Sequence, residues 1–277
     1  MGMRSPQMRL VANARMYSVN PQAAAAWKEL FGWLAHASGV ELDVVDHAFP
    51  LKLSDLWSRD DLACAFMCGF PLMLSGQRPR LVAAPIPANA PLAGRPVYAT
   101  RLLVRSEAGF QCLEDTFGSR LGYTVHDSHS GYNALRHHLL PYYRQRGKKL
   151  FSESVGPLTT PRRVIDALLD GSIDIGPLDS YALELMLRHD ETLRSQIRVV
   201  ASTDTAPIPA LVAAPQCPDE VITKLQGTLD KFANAAECVS LRDRLCLDGF
   251  TKVTIRDYEL TLRWDSEARL AGYPEPG

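Results

Sequence analysis

The 277-residue chain has no apolar run near the ~20 residues that a membrane-spanning helix requires, so an integral helical membrane protein is excluded and no membrane insertion is expected. Cysteine is scarce. Cys64, Cys68, Cys112, Cys217, Cys238 and Cys246 form no C-x-x-C pair, which argues against a zinc ribbon or a disulfide scaffold in a chain this long. Several lie in apolar segments, where a thiol behaves as a small hydrophobe, and all are read as reduced. An excess of charge of one sign is also missing. Thirty basic residues against thirty-one acidic ones give a formal charge of -1, with no bias toward nucleic acid or an anionic membrane surface. No G-x-S-x-G elbow, P-loop or Rossmann fingerprint occurs. A repeat of 20–50 residues and any low-complexity tract are absent too, which argues against a solenoid. Residues 1–7 carry Arg4 and Pro6 without the apolar stretch of a signal peptide. The expectation is a cytoplasmic form or a chain from which a leader has been removed.

What remains is an ordinary globular composition, 46% hydrophobic and 22% charged, of a length that suits two lobes or one large α/β domain. Strands and helices alternate. Residues 10–17 read as a strand, followed by a helix opened by Pro21 with Trp27, Leu30, Phe31 and Leu34 at helical spacing and Gly39 as its stop. Residues 41–46 and 62–68 read as strands around a short helix at 53–57, with Gly69 and Pro71 bounding the second. The proline-rich stretch 85–96 reads as an extended passage before a strand at 98–104. Further strands are expected at 122–125, 173–178, 197–201 and 210–214. Helices are expected near 114–117, from Gly131 with a kink at Pro141, from Pro161 with Thr160 as its cap, and at 180–188. Pro218 opens another, and the chain closes with helices near 241–245 and 257–270. Short buried strands between helices predict mostly parallel sheets. The order of elements suggests a discontinuous first lobe, residues 9–95 plus 207–277, and a second at 100–200, with a ligand cleft between them.

The most specific local feature is Ser128-His129-Ser130-Gly131-Tyr132, a polar turn between a strand and a helix. The first amides of a helix have no internal partner and carry partial positive charge. Ser128 and Ser130 hydroxyls could add donors there, and Gly131 could let a ligand approach the backbone. Either serine could equally be a plain N-cap. Four histidines, His126, His129, His137 and His138, fall close together, but no carboxylate or cysteine pattern completes a metal site and none is expected. Asp127, Ser128, His129 and Ser130 hold the residue types of a nucleophilic triad, yet sequence neighbours rarely adopt triad geometry. No catalytic residue and no cofactor is assigned. Tyr17, Phe70, Tyr98 and Tyr132 fall at element ends and are candidate cleft walls.

The Ser128-x-Ser130-Gly131-Tyr132 turn resembles the ligand-gripping turn of phosphate/phosphonate substrate-binding proteins of ABC importers. Met16-Tyr17, the segment 62–71 ending in Gly69-Phe70-Pro71, the passage 168–180 and Ala206-Pro207-Ile208-Pro209 are similar to other segments of that family, in the same order. The resemblance spans residues 9–265. It implies an α/β, two-lobed fold of the type II periplasmic-binding-protein kind, and no enzymatic activity. The expected partners are a small anionic ligand, phosphonate- or phosphate-like, and the membrane permease of an ABC importer. It further implies a periplasmic location and a monomer or weak dimer. Where the family often has a histidine, this chain has Pro161 and Arg162, and Arg162 joins the expected ligand-binding set. Asp179 falls where relatives can carry an acidic residue facing a ligand amine, although it could also cap the helix from Ser180. The alternative is a biosynthetic enzyme or an intracellular ligand sensor on the same fold.

Overall fold

The structure, a computed structural model, describes residues 9–88 and 94–277. Residues 1–8, and residues 89–93 of the proline-rich passage, lie outside the described residues.

β1 (Leu10–Asn13) is wholly buried and ends earlier than its apolar pattern predicts. Asn13 donates to Val45 O at 2.7 Å and accepts from the Arg15 amide at 2.8 Å, which folds Arg15–Tyr17 into a 3-10 turn. α1 (Pro21–Ser38) has Asn20 as its cap and Pro21 in its first turn. It buries Trp27, Leu30, Phe31 and Leu34, and stops at Gly39 in the left-handed conformation, φ 67°. β2 (Leu42–Val44), α2 (Leu53–Trp57) and β3 (Leu62–Met67) follow. Gly69 and Pro71 do more than bound that strand: they open α3 (Gly69–Leu74), whose first turn tolerates a proline without an N–H. β4 (Arg80–Pro87) takes in Pro85 and Pro87, the first prolines of the passage expected to run extended between strands.

The chain then crosses to a second sheet. β5 (Val97–Tyr98) leads directly into β6 (Thr100–Arg105), and β7 (Arg120–Gly122) precedes the polar turn. α4 (Ala134–Arg146) continues through Pro141. After it come β8 (Glu153–Val155), α5 (Pro161–Leu169), β9 (Ile175–Asp179), α6 (Ser180–His189), α7 (Glu191–Gln196) and β10 (Ile197–Ser202). The chain returns through β11 (Ala206–Pro207) into β12 (Ala210–Ala213). It ends with α8 (Asp219–Leu229), α9 (Val239–Leu245), β13 (Leu247–Thr251) and α10 (Glu259–Leu270).

One sheet has the order β13-β4-β12-β3-β1-β2, the other β10-β6-β9-β7-β8, and β5 pairs antiparallel with β11 between them. The expectation of mostly parallel sheets is corrected here. β1 is parallel to β2 and β3, but β12 runs antiparallel to both β3 and β4, and β13 antiparallel to β4. In the second sheet β6 is antiparallel to β9 and β10, while β7 is parallel to β8 and β9. Parallel neighbours need a long crossover. β6 and β12 instead enter their sheets straight from the two-strand crossing, with no helix to reverse them.

Each sheet has its own core. Trp27, Phe31, Phe66 and Leu211 belong to the first. In the second, Leu102 and Val104 face one apolar layer and Leu103 the opposite one, the alternation of a strand buried on both faces. The C-terminal segment leaves the first sheet and packs on α4. Asn133 Nδ2 donates to Thr261 O at 2.8 Å, the buried Arg136 pairs with Asp265, and Ser154 donates to Pro276 O at 2.6 Å.

Candidate functional site

Between the two sheets lies a cleft of about 1030 Å³. The 3-10 turn at Tyr17, the C-terminal end of β9 and the turns before α4 and α5 border one end of it. α1 and the loop from Val44 to Ser54 border the other.

The turn before α4 is built in a specific way. The helix does not begin at Gly131. His129–Asn133 forms a π-helical turn, in which the Asn133 amide donates to Ser128 O at 3.0 Å and the Ala134 amide to His129 O. Ser128 is the cap, its Oγ accepting from the Gly131 amide at 3.0 Å. Ser130 lies on the cleft, and its carbonyl accepts from Thr100 Oγ1 at 3.0 Å. Gly131 is needed for a reason the sequence does not show. A Cβ there would lie 1.9 Å from Thr124 Oγ1. Thr124 itself faces the cleft, and its buried hydroxyl has no partner among the described residues.

Asp179 caps α6 and also lies on the cleft wall. Oδ1 caps α6, accepting from the Tyr181 and Ala182 amides at 2.8 and 3.0 Å, while Oδ2 accepts from the Tyr17 hydroxyl at 3.1 Å across the cleft. Burial pushes its carboxyl up to about 6, against the downward pull of those three hydrogen bonds. Arg162 reaches the cleft from the first turn of α5 and pairs with Asp166 at 3.0 Å.

Tyr17, Ser128, Ser130, Gly131, Arg162 and Asp179 therefore line the cleft together. Phe70, Tyr98, His129 and Tyr132 do not. Phe70 is buried in α3, and Tyr98 is buried with its ring 6.2 Å from that of His129. Tyr132 turns to the C-terminus, where its hydroxyl donates to Pro274 O at 3.2 Å. His129 lies behind the turn, stacked on Trp264 at 5.4 Å and bonded through Nδ1 to Asn133. Burial holds its pKa down to about 3, so the ring is neutral and offers an anion no charge. His129 bonds to Asn133 rather than to either serine, and His126 packs on Tyr123 and Tyr132, so the four neighbours assemble neither a nucleophilic chain nor a metal pair.

Sequence reading missed the threonines. Thr124, Thr159 and Thr160 all reach the cleft. Thr159 has φ 69°, a left-handed backbone that is strained for a β-branched residue and is characteristic of ligand clamps. It also missed Arg15, whose guanidinium bonds to Leu51 O, and the loop wall with His47, Phe49 and Trp57. The signal for that wall was the gap between the strand expected to end at Asp46 and the helix expected from Leu53, with Asp46 and Pro50 as its turn formers.

A cleft between two mixed α/β lobes joined by a two-strand crossing, with a helix-start turn on its wall, defines a two-lobed binding protein of the type II periplasmic class. More particularly, the chain belongs to the family of the ABC transporter, phosphonate, periplasmic substrate-binding protein, which it matches over residues 17–258. Its fold is similar to a binding protein component of an ABC phosphonate transporter from Pseudomonas aeruginosa, at 16% identity and TM-score 0.79 over 95% of this chain and 88% of that one. It is also similar to PhnD1 from Prochlorococcus marinus, solved with methylphosphonate, at 13% identity and TM-score 0.76 over 95% and 99%. The arginine-, lysine-, histidine-binding protein ArtJ from Geobacillus stearothermophilus shares the fold more distantly, at 11% identity and TM-score 0.57 over 86% and 94%. No curated protein matches the sequence. Membership makes the chain a substrate-binding component of transport and sets the enzyme alternative aside. No helix among the described residues is long and apolar enough to cross a membrane.

Proposed function

We propose that the protein takes a small phosphonate- or phosphate-like anion into the cleft, binds it without chemistry, and presents it to the permease of an ABC importer at the periplasmic face. In this reading residues 9–95 with 207–277 and residues 100–200 are the two closing lobes of a monomer or weak dimer. The observation that carries it is the π turn at His129–Asn133. It places Ser130 and the unpartnered Thr124 hydroxyl at the start of a helix, where partial positive charge collects. Arg162 supplies further donors, Tyr17 walls the site with its hydroxyl held on Asp179, and Ser128 and Gly131 shape the turn rather than bond the ligand. Phe70, Tyr98, His129 and Tyr132 support it from behind.

Calorimetric titration with methylphosphonate and with inorganic phosphate tests this. Ser130→Ala removes one donor to a charged oxygen and should weaken binding about 10- to 150-fold, the equivalent of ~1.5–3 kcal/mol. Ser128→Ala removes a cap and should lower stability by about 1 kcal/mol with a smaller effect on affinity. Absence of binding by both anions at millimolar concentration, with the protein folded, would overturn the reading.

A further inference from the structure

The cleft is far larger than a small anion needs. At roughly 30 Å³ per water-sized group, methylphosphonate fills on the order of 150 Å³, whereas the cavity measures about 1030 Å³. That is the upper end of the ~300–1,000 Å³ of sites that enclose drug-sized ligands. The cleft also has an apolar wall, formed by Trp27 and Phe31 of α1, Val45 and Leu51 of the loop that follows β2, and Trp57 of α2. The loop is pinned at several points. Val45 O accepts from Asn13 Nδ2, Leu51 O from the Arg15 guanidinium, and Lys52 O from His47 Nε2 at 2.7 Å. Trp57 is fixed by its indole N–H on Phe66 O at 2.9 Å.

The chamber is present although the lobes already touch around it. Tyr17 meets Asp179 on one side, and on the other the Arg163 guanidinium lies over the Phe49 ring, 5.1 Å from its centroid. Its charges nearly cancel. Arg15, Lys28, Lys52 and Arg162 line the cleft against Asp46, Asp127 and Asp179, which does not suit a polyanion such as a nucleotide. The buried Trp27 indole N–H has no acceptor among the described residues, leaving a donor for an oxygen or nitrogen on a ligand's body.

We infer that the ligand is an anion carrying a bulky apolar substituent, an aryl or branched alkyl phosphonate, with its head at the π turn and its body in the chamber between α1 and the β2–α2 loop. The phosphonate head rests on the function proposed above; the apolar body rests on the chamber alone.

Calorimetry on the full chain with methylphosphonate, phenylphosphonate, acetate and phenylacetate separates the two. Phenylphosphonate should bind at least about tenfold more tightly than methylphosphonate, because burying two methylene equivalents already supplies that factor. Ala24→Trp, which projects an indole from α1 into the chamber, should collapse this ratio toward one. Equal affinities of the two phosphonates for the native protein would overturn the inference, whatever the variant does. A ratio that survives Ala24→Trp in a folded variant would overturn the placement of the body. If only phenylacetate binds, the apolar chamber stands and the phosphonate reading falls. If none of the four binds, both fall.

Discussion

Asp179 is the residue where capping, lobe contact and titration meet. Its carboxylate satisfies two amides of α6 and the hydroxyl of Tyr17, yet burial still raises its pKa to about 6. Its buried neighbours Tyr17, Tyr98, Tyr181 and Cys68 are all pushed upward by burial and stay neutral through the physiological range. An acid whose folded pKa exceeds its unfolded value near 3.9 stabilises the native state only while protonated. The contribution is complete below pH about 4 and is lost as pH rises through about 6, with a ceiling of roughly 3 kcal/mol for a shift of two units. Asp179→Asn keeps an oxygen for the cap but cannot ionise. In urea titrations of the unliganded protein, the variant should be the more stable at pH 8, and its advantage should shrink on acidification toward pH 4. A constant difference across that range would mean that Asp179 does not titrate between those limits. The sequence offered capping and ligand contact as alternatives for this residue, and it could not show that one carboxylate oxygen caps α6 while the other takes the Tyr17 hydroxyl.

Elements with strong local signals are the ones read correctly from sequence. α1 carries its cap, its first-turn proline, an apolar stripe and its glycine stop within the sequence, and α5 likewise has Thr160 and Pro161 at its start. β13 was not anticipated, because Leu247–Thr251 is short and has Gly249 in its middle; what makes it a strand is the edge of β4. The π turn was seen as a helix start but placed two residues late, since the extra residue in its hydrogen-bond ring leaves no compositional mark. The packing of that turn gives a direct test. Gly131→Ala would bring a methyl group against Thr124 Oγ1, Cγ2 and Cβ at 1.9, 2.7 and 2.8 Å, and Thr124 belongs to the same backbone-bonded turn. The expected loss is about 1–3 kcal/mol of stability, as for an overpacked site. Thr124→Gly in the same chain should restore part of it, and denaturant unfolding of the single and double variants would measure the coupling. A Gly131→Ala protein as stable as the native one would show that Thr124 does not pack on the turn.

At the scale of the whole molecule, the lobes are joined by the β5–β11 crossing and by the C-terminal segment lying on α4, and they meet across the cleft at Tyr17–Asp179 and Phe49–Arg163. The first pair of links allows rotation about a short axis, while the second makes closure an equilibrium rather than a fixed state. A ligand shifts that equilibrium only by its difference in affinity for the two arrangements, which contact with both walls provides. Small-angle scattering should therefore show a smaller radius of gyration with saturating methylphosphonate or phenylphosphonate than without. Phe49→Ala should act in the opposite direction. An exposed cation–π contact contributes about 0.5–1 kcal/mol, so its loss changes the closed-to-open ratio roughly two- to fivefold. The variant should be more expanded without ligand and should need more ligand to reach the same compact radius. If the radius does not change while calorimetry records binding, the cleft is a preformed pocket and the two cross-cleft contacts hold the lobes in place rather than gate them.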